Sequence, residues 1–215
     1  MDASEAGRRT LNGYPGFLKS PRRPVRSYNR RVPETPPASP RRPALFLDRD
    51  GVLNEDQGYV HRWEDFRWIA GAKAVVAAYN RAGWLVIVVT NQSGVGRGYY
   101  SEADMHALHE RMAQDLAQAG GHIDAFYHAP QHPDAPLDTY RHPDPPDRKP
   151  NPGMILRALS EWPIDKGASV LVGDKPSDLE AALRAGIRGV LFPGGDLAQF
   201  LAAEALLPPA ASAVG

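Results

Sequence analysis

The order of apolar runs and helical signatures predicts an α/β fold, a parallel sheet covered by helices on both faces. Two observations carry this. Four or five short apolar runs alternate with helix-length segments over short links, as βαβ units require. The clearest run, Trp84 to Thr90 (WLVIVVT), is continuous and β-branched rather than alternating, which marks a strand covered on both sides.

The elements follow in order. Ala44 to Asp48 (ALFLD) is an apolar run ending in charge and reads as a buried first strand. Gly71 to Arg81 reads as a helix stopped by Gly83, and Trp84 to Thr90 as the second strand. Ser101 with Asp104 three residues on has the spacing of a capping box, opening a helix that runs to Gly120. Ile123 to Tyr127 reads as a third strand. Residues 128–152 then break the pattern, with eight prolines in 25 positions. Asn151 and Pro152 suit the N-cap and first position of a new helix. Ala168 to Val172 reads as a strand, Ser177 to Glu180 as another capping box, and Ile187 to Phe192 as the last strand. The result is a Rossmann-like sheet. The short insertions after the first and third strands leave no room for a large cap domain, which favours small substrates and a monomer.

Charge divides the chain. The 215 residues hold 25 basic and 25 acidic side chains, but residues 1–43 carry ten of the former and three of the latter, with eight of the 21 prolines. The remainder is left with 15 basic and 22 acidic groups. An Arg/Pro-rich stretch poor in apolar residues cannot offset its ordering entropy by burial. Residues 1–43 are therefore expected to be a disordered arm, 44–207 the folded domain and 208–215 a flexible tail. The arm is read as solvated rather than as a nucleic-acid contact. It lacks an apolar signal core, Asp2 and Glu5 argue against a transit peptide, and no run approaches a membrane span, so a cytoplasmic location without a membrane partner is expected. Absence of cysteine excludes disulfides, thiolate catalysis, Cys-ligated zinc and Fe–S clusters.

In a parallel α/β sheet, ligands bind beyond the carboxyl ends of the strands. The first strand ends in Asp48-Arg49-Asp50-Gly51, two carboxylates that face one centre from an extended chain. Such a pair needs a cation or a raised pKa, and it suits a nucleophile (Asp48) beside a general acid (Asp50). A solvated strand-end turn is the plainer alternative. The second strand ends in Thr90-Asn91-Gln92-Ser93-Gly94, with Arg97 following, a cradle of small polar groups suited to phosphate. Asp174 after the fourth strand is placed to join Asp48 around Mg²⁺, and Arg148-Lys149 supply cations for a phosphoryl group.

Asp48-x-Asp50-Gly51, Thr90, Lys149 and Gly173-Asp174-x-x-x-Asp178 resemble, in order, the four motifs of the haloacid-dehalogenase-like phosphatases. FLDRDGVLNEDQGYVH, VVTNQSGVGRG, DRKPNPGM and VGDKPSDLEAA are closer still to the branch holding the heptose-bisphosphate phosphatases and the histidinol-phosphatase domain. The similarity spans roughly residues 44–195. It implies that Asp48 attacks phosphorus, that Asp50 protonates the departing sugar oxygen and later activates water, and that Asp48, the Asp50 backbone carbonyl and Asp174 hold Mg²⁺. It further implies Thr90, Asn91 and Lys149 at the phosphate, Arg97, Arg148 and Lys175 near the substrate, and His61 on a flap (Gly58 to His61) over the sugar. The implied substrate is the 7-phosphate of a heptose 1,7-bisphosphate, with histidinol phosphate or another sugar phosphate as alternatives. A non-catalytic phosphate-binding module would have lost Asp48, Asp50 or Asp174, and all three are present.

One departure stands out. Relatives in the branch bind zinc in the loop after the third strand, through a Cys-x-His and a Cys-x-Cys. Those positions here are Ala129, Gln131, Pro145 and Asp147, so zinc is not expected. Val52 stands where many relatives have Thr. His128, His132 and His142 with Asp144 are the loop's remaining candidate ligands, the alternative being that prolines stiffen the segment. His106 and His109, one helical turn apart, are read as surface residues.

Overall fold

The computed structural model describes residues 40–208. Most of the arm and tail expected from the sequence lies outside them. Five parallel strands, β1 (Ala44–Leu47), β2 (Leu85–Asn91), β3 (Ala125–Ala129), β4 (Val170–Gly173) and β5 (Arg188–Leu191), lie in the order β3-β2-β1-β4-β5. The helices are α1 (Ala72–Arg81), α2 (Ser93–Gly96), α3 (Glu102–Gln118), α4 (Gly153–Glu161), α5 (Pro176–Ala185) and α6 (Leu197–Ala203).

Period-two alternation along the buried strands divides the core. Leu45, Leu47, Val86, Val88, Val170 and Val172 face one side, with Val75, Val76 and Tyr79 of α1, Leu108, Met112 and Leu116 of α3, and Leu197 and Leu201 of α6. Ala44, Phe46, Leu85, Ile87 and Leu171 face the other, with Met154, Ile155 and Ala158 of α4 and Ala181, Ala182 and Ala185 of α5. Helices thus cover both faces. From central β1 the chain builds outward to β2 and β3, then returns to add β4 and β5 on the other side. This reversal opens a crevice beyond the carboxyl ends of β1 and β4.

Several boundaries differ from the sequence reading. Arg42, assigned to the arm, already joins the fold: its backbone pairs with Pro163 and Asp165, and its guanidinium donates to the Gly83 carbonyl at 2.7 Å. The third strand starts at Ala125 rather than Ile123, and the fourth at Val170, because Asp165 caps a 3₁₀ turn over Lys166–Ala168. Asn151 caps nothing. Its amide donates to Asp144 and to the Pro145 carbonyl, and α4 starts at Gly153. Ser177 lies inside α5, whose N-cap is Lys175; Asp178 accepts the Lys175 backbone N–H at 2.9 Å. The Ser101–Asp104 capping box is present. Two helices were not expected: α2, in a stretch read as a Gly-rich turn, and α6, capped by Asp196 onto the Gln199 N–H at 2.9 Å.

Among the described residues no helix is long and apolar enough to cross a membrane. Phe46 is fully buried at the centre of the sheet. Phe46→Ala should cost about 3–5 kcal/mol, through lost transfer energy plus an unfilled cavity. The measurement is urea denaturation: the midpoint falls while the slope is unchanged.

Candidate active site

The crevice holds an open polar cavity of about 470 Å³, lined among others by Asp48, Asp50, Asn91, Arg148, Lys149 and Lys175. Strand ends of β1 and β2 and the N-terminus of α5 supply the floor. Asp48 continues β1, its N–H bonded to the Val172 carbonyl at 3.0 Å, and only 6 % of its surface is exposed.

Lys149 is the centre of the site. Buried to 3 % exposure, its ammonium lies 2.9 Å from Asp48 Oδ2, 2.6 Å from Asp178 Oδ1 and 2.9 Å from the Val89 carbonyl. Its backbone is clasped by Asn91, which accepts the Lys149 N–H and donates to the Lys149 carbonyl, both at 3.0 Å. Burial works against the Lys149 charge, but Asp48 and Asp178 outweigh it and its pKa rises. Burial pushes the Asp48 carboxyl up to about 7 despite Lys149, with Asp178 and Asp50 adding to the rise.

Asp50 is held differently. Arg49 Nη2 bridges both of its oxygens at 2.9 Å, Asn54 donates to Oδ1 at 2.9 Å and Gln92 to Oδ2 at 3.1 Å. Arg49 is wholly buried, and it also donates to the Val60 carbonyl at 2.6 Å and faces His109 Nε2 at 3.3 Å. The acid is thereby tied to the Gly58–His61 segment. Tyr100 makes a second tie: its hydroxyl donates to Gln92 Oε1 at 2.6 Å while its ring stacks on His61 at 4.6 Å. Tyr59, in the left-handed region at φ 56°, lines the cavity and meets Tyr99 edge-on at 4.7 Å. Such backbone strain gathers at ligand-facing segments.

The other sequence-picked residues are placed as follows. Thr90 is buried beneath the cavity, its hydroxyl oxygen accepting from Gln92 at 2.8 Å. Lys175 lines the wall, paired with Asp56 at 3.0 Å and near Asp174 at 3.7 Å. Arg148 lines it too, with a buried Nη1 that has no partner among the described residues. Arg97 and His61 do not reach this wall. Arg97 is turned to the His132 ring at 3.1 Å, and His61 borders a separate shallow cleft with Trp63 and Leu108. His109, read as a surface residue, is 4 % exposed and stacked on Phe126 at 4.4 Å.

Asp178, Arg49 and Tyr100 had no role expected from the sequence, and Gln92, expected in the phosphate cradle, instead holds Asp50, Thr90 and Tyr100. Only Asp178 carried a signal, four residues after Asp174 in the same motif. The loop histidines do not assemble as a group: His132 lies against Arg97, and His142 accepts the Asp144 N–H at 3.1 Å.

The donor set suits a hard divalent cation. Carboxylate oxygens of Asp48, Asp174 and Asp178 lie within 4.8 Å of one another, and Asp174 Oδ1 is buried without a hydrogen-bond partner. Burial raises the Asp174 pKa, a cost that a cation would remove. Gly51 makes room for this. At φ +86°, a Cβ there would lie 2.3 Å from Asp174 Oδ2. Gly51→Ala should displace Asp174 and weaken Mg²⁺ binding about 10–100-fold, measured by calorimetry.

His109 generates a pH prediction. Burial, then the Arg49 charge, lowers its pKa from 6.5 to about 2. Between those values the unfolded chain binds the extra proton, so the contribution of His109 is present above 6.5 and is lost as pH falls below it. His109→Gln keeps an acceptor for Arg49 without titrating. Its Tm should fall less than that of the wild type between about pH 7.5 and about pH 5.

Comparison with known proteins accords with this geometry. Residues 147–211 match the family model described as HAD-hydrolase-like. The D-glycero-beta-D-manno-heptose-1,7-bisphosphate 7-phosphatase of Rhodopseudomonas palustris is 46% identical over 168 residues, covering 76% of this chain and 91% of the relative. The D-glycero-alpha-D-manno-heptose-1,7-bisphosphate 7-phosphatase of Burkholderia mallei is 49% identical over 149 residues, covering 69% of this chain and 78% of the relative. Among solved structures, a putative HAD-like phosphatase from Mesorhizobium loti superposes with a TM-score of 0.70 at 33% identity, covering 83% of this chain and 93% of the other. The D,D-heptose 1,7-bisphosphate phosphatase of B. bronchiseptica, complexed with magnesium and phosphate, gives 0.63 at 34% identity, covering 78% and 89%. With its five-stranded sheet and the carboxylate-lined crevice at its edge, the chain belongs to the haloacid-dehalogenase-like hydrolases, in the family of the heptose-1,7-bisphosphate 7-phosphatases, whose members are phosphomonoesterases.

Proposed function

We propose that this chain hydrolyses the 7-phosphate of D-glycero-D-manno-heptose 1,7-bisphosphate in a Mg²⁺-dependent reaction through an aspartyl-phosphate. The observation that carries the reading is the Lys149 ammonium fixed between Asp48 and Asp178 at the floor of a polar cavity. Asp48 attacks phosphorus, so an Asp48 O–P bond forms as the P–O bond to the sugar breaks. Asp50 delivers its proton to the departing sugar oxygen. It then takes a proton from the water whose oxygen displaces Asp48, and inorganic phosphate leaves. Mg²⁺ would be held by Asp48, Asp174 and the Asp50 backbone carbonyl, and it supplies charge neutralisation at the transferring phosphoryl group.

Thr90 and Lys149 serve the transferring phosphate, and Asn91 holds Lys149 in place. Arg148, whose buried Nη1 has no partner among the described residues, and Lys175, which would exchange Asp56 for it, would take the second phosphate of a bisphosphate. Arg97 and His61 would act only after moving from their present partners. The same proposal includes a monomeric, cytoplasmic enzyme, with a small sugar phosphate as its partner and no zinc at Ala129, Gln131, Pro145 and Asp147.

Phosphate release from heptose 1,7-bisphosphate, histidinol phosphate and other sugar phosphates tests the reading. Heptose bisphosphate should be the preferred substrate, with activity lost on chelating Mg²⁺. Asp48→Asn should fall to background and Asp50→Asn by about 10²–10⁴-fold. Wild-type activity in Asp48→Asn overturns the mechanism, and preference for histidinol phosphate overturns the substrate.

A further inference from the structure

A second group of metal-ligating side chains lies away from the catalytic carboxylates. Glu102 opens α3, His106 follows one turn later on the same face, and His128 is the penultimate residue of β3. One ligand atom from each lies within 4.8 Å of the others. We propose that Glu102, His106 and His128 form a binding site for a single Zn²⁺ ion that braces α3 to the end of β3. The site is independent of the phosphatase reading.

The chemistry of the donors selects the ion. Two imidazoles and one carboxylate suit zinc, whereas the all-oxygen group at Asp48, Asp174 and Asp178 suits Mg²⁺. The rings of His106 and His128 are nearly perpendicular, at 83° with centroids 5.3 Å apart, so they do not stack face to face. Tyr140 donates its hydroxyl to Glu102 at 3.2 Å and orients the carboxylate from behind.

The surrounding charges are compatible with a cation. Arg157, a cation on the adjacent α4, is paired with Asp147 at 2.7 Å and held over the Tyr127 ring at 4.9 Å. His109 is committed to Arg49 and Phe126. Three protein ligands leave a position open to water, as His106 is exposed.

The position gives the ion a use. His128 pairs with Thr90 across the β2–β3 ladder, and Tyr140 belongs to the proline-rich segment after β3. A metal there would fasten that segment, α3 and the sheet edge beside Thr90. Zinc was not expected from the loop positions, and this set lies on a helix and a strand instead.

The test uses the untagged full chain in excess Mg²⁺, titrated with Zn²⁺. Metal content after dialysis and the shift of Tm with zinc are measured. Wild type should hold one zinc per chain and gain thermal stability. His106→Ala and His128→Gln should each weaken zinc binding by at least about tenfold and abolish the Tm gain. The double variant His132→Ala/His142→Ala should bind as wild type. His106 is exposed, so His106→Ala tests ligation without disturbing the core, and its Mg²⁺-dependent phosphate release should be unchanged. Absence of stoichiometric zinc in the wild type, or unchanged zinc binding in His106→Ala, overturns the site.

Discussion

The buried ammonium of Lys149 organises the crevice. A lysine removed from water is costly unless all three of its protons find acceptors, and here they face Asp48, Asp178 and the Val89 carbonyl. Those partners belong to three elements: the end of β1, the start of α5 and the edge of β2. The ion triad therefore requires the strand order in which β1 lies between β2 and β4, as observed. Asn91 completes the arrangement by clasping the Lys149 backbone, so the position of one ammonium depends on the whole carboxyl edge of the sheet.

The two carboxylates of the first strand end occupy unlike environments, and that contrast gives them unlike chemistry. Asp48 is nearly dry and shares a lysine with another acid. Asp50 receives donors from Arg49, Asn54 and Gln92, which fix its orientation. Arg49 also grips the Val60 carbonyl, and Gln92 grips the Tyr100 hydroxyl. The Gly58–His61 segment and Asp50 thus share Arg49 directly, and Gln92 through Tyr100, whose ring stacks on His61. A displacement of the Gly58–His61 backbone is felt at Asp50 through a short chain of contacts.

Much of the fold was legible because buried parallel strands are written as unbroken apolar runs and helices announce their ends. The run at Trp84–Thr90 and the Ser101–Asp104 box are cases where local sequence and tertiary structure agree. Boundaries drifted where side chains found distant partners. Asn151 gave up a capping role for Asp144, and the N-cap of α5 fell to Lys175 because Asp178 reaches back to its N–H. His109 looked like a polar residue on an amphipathic helix, yet it packs inward, stacked on Phe126 with Nε2 facing Arg49.

The sequence by itself determined the sheet, its helical covering and the identity of the acids at the strand ends, since these depend on local periodicity and on residues adjacent in the chain. Only the tertiary structure decided which charges meet. That Asp178 shares Lys149 with Asp48, that Arg97 and His61 turn away from the cavity, and that His128 joins Glu102 and His106 rather than the loop histidines are outcomes of packing between distant elements. Ion pairing and ligation act over a few ångströms in space, and between distant elements no spacing along the chain encodes them.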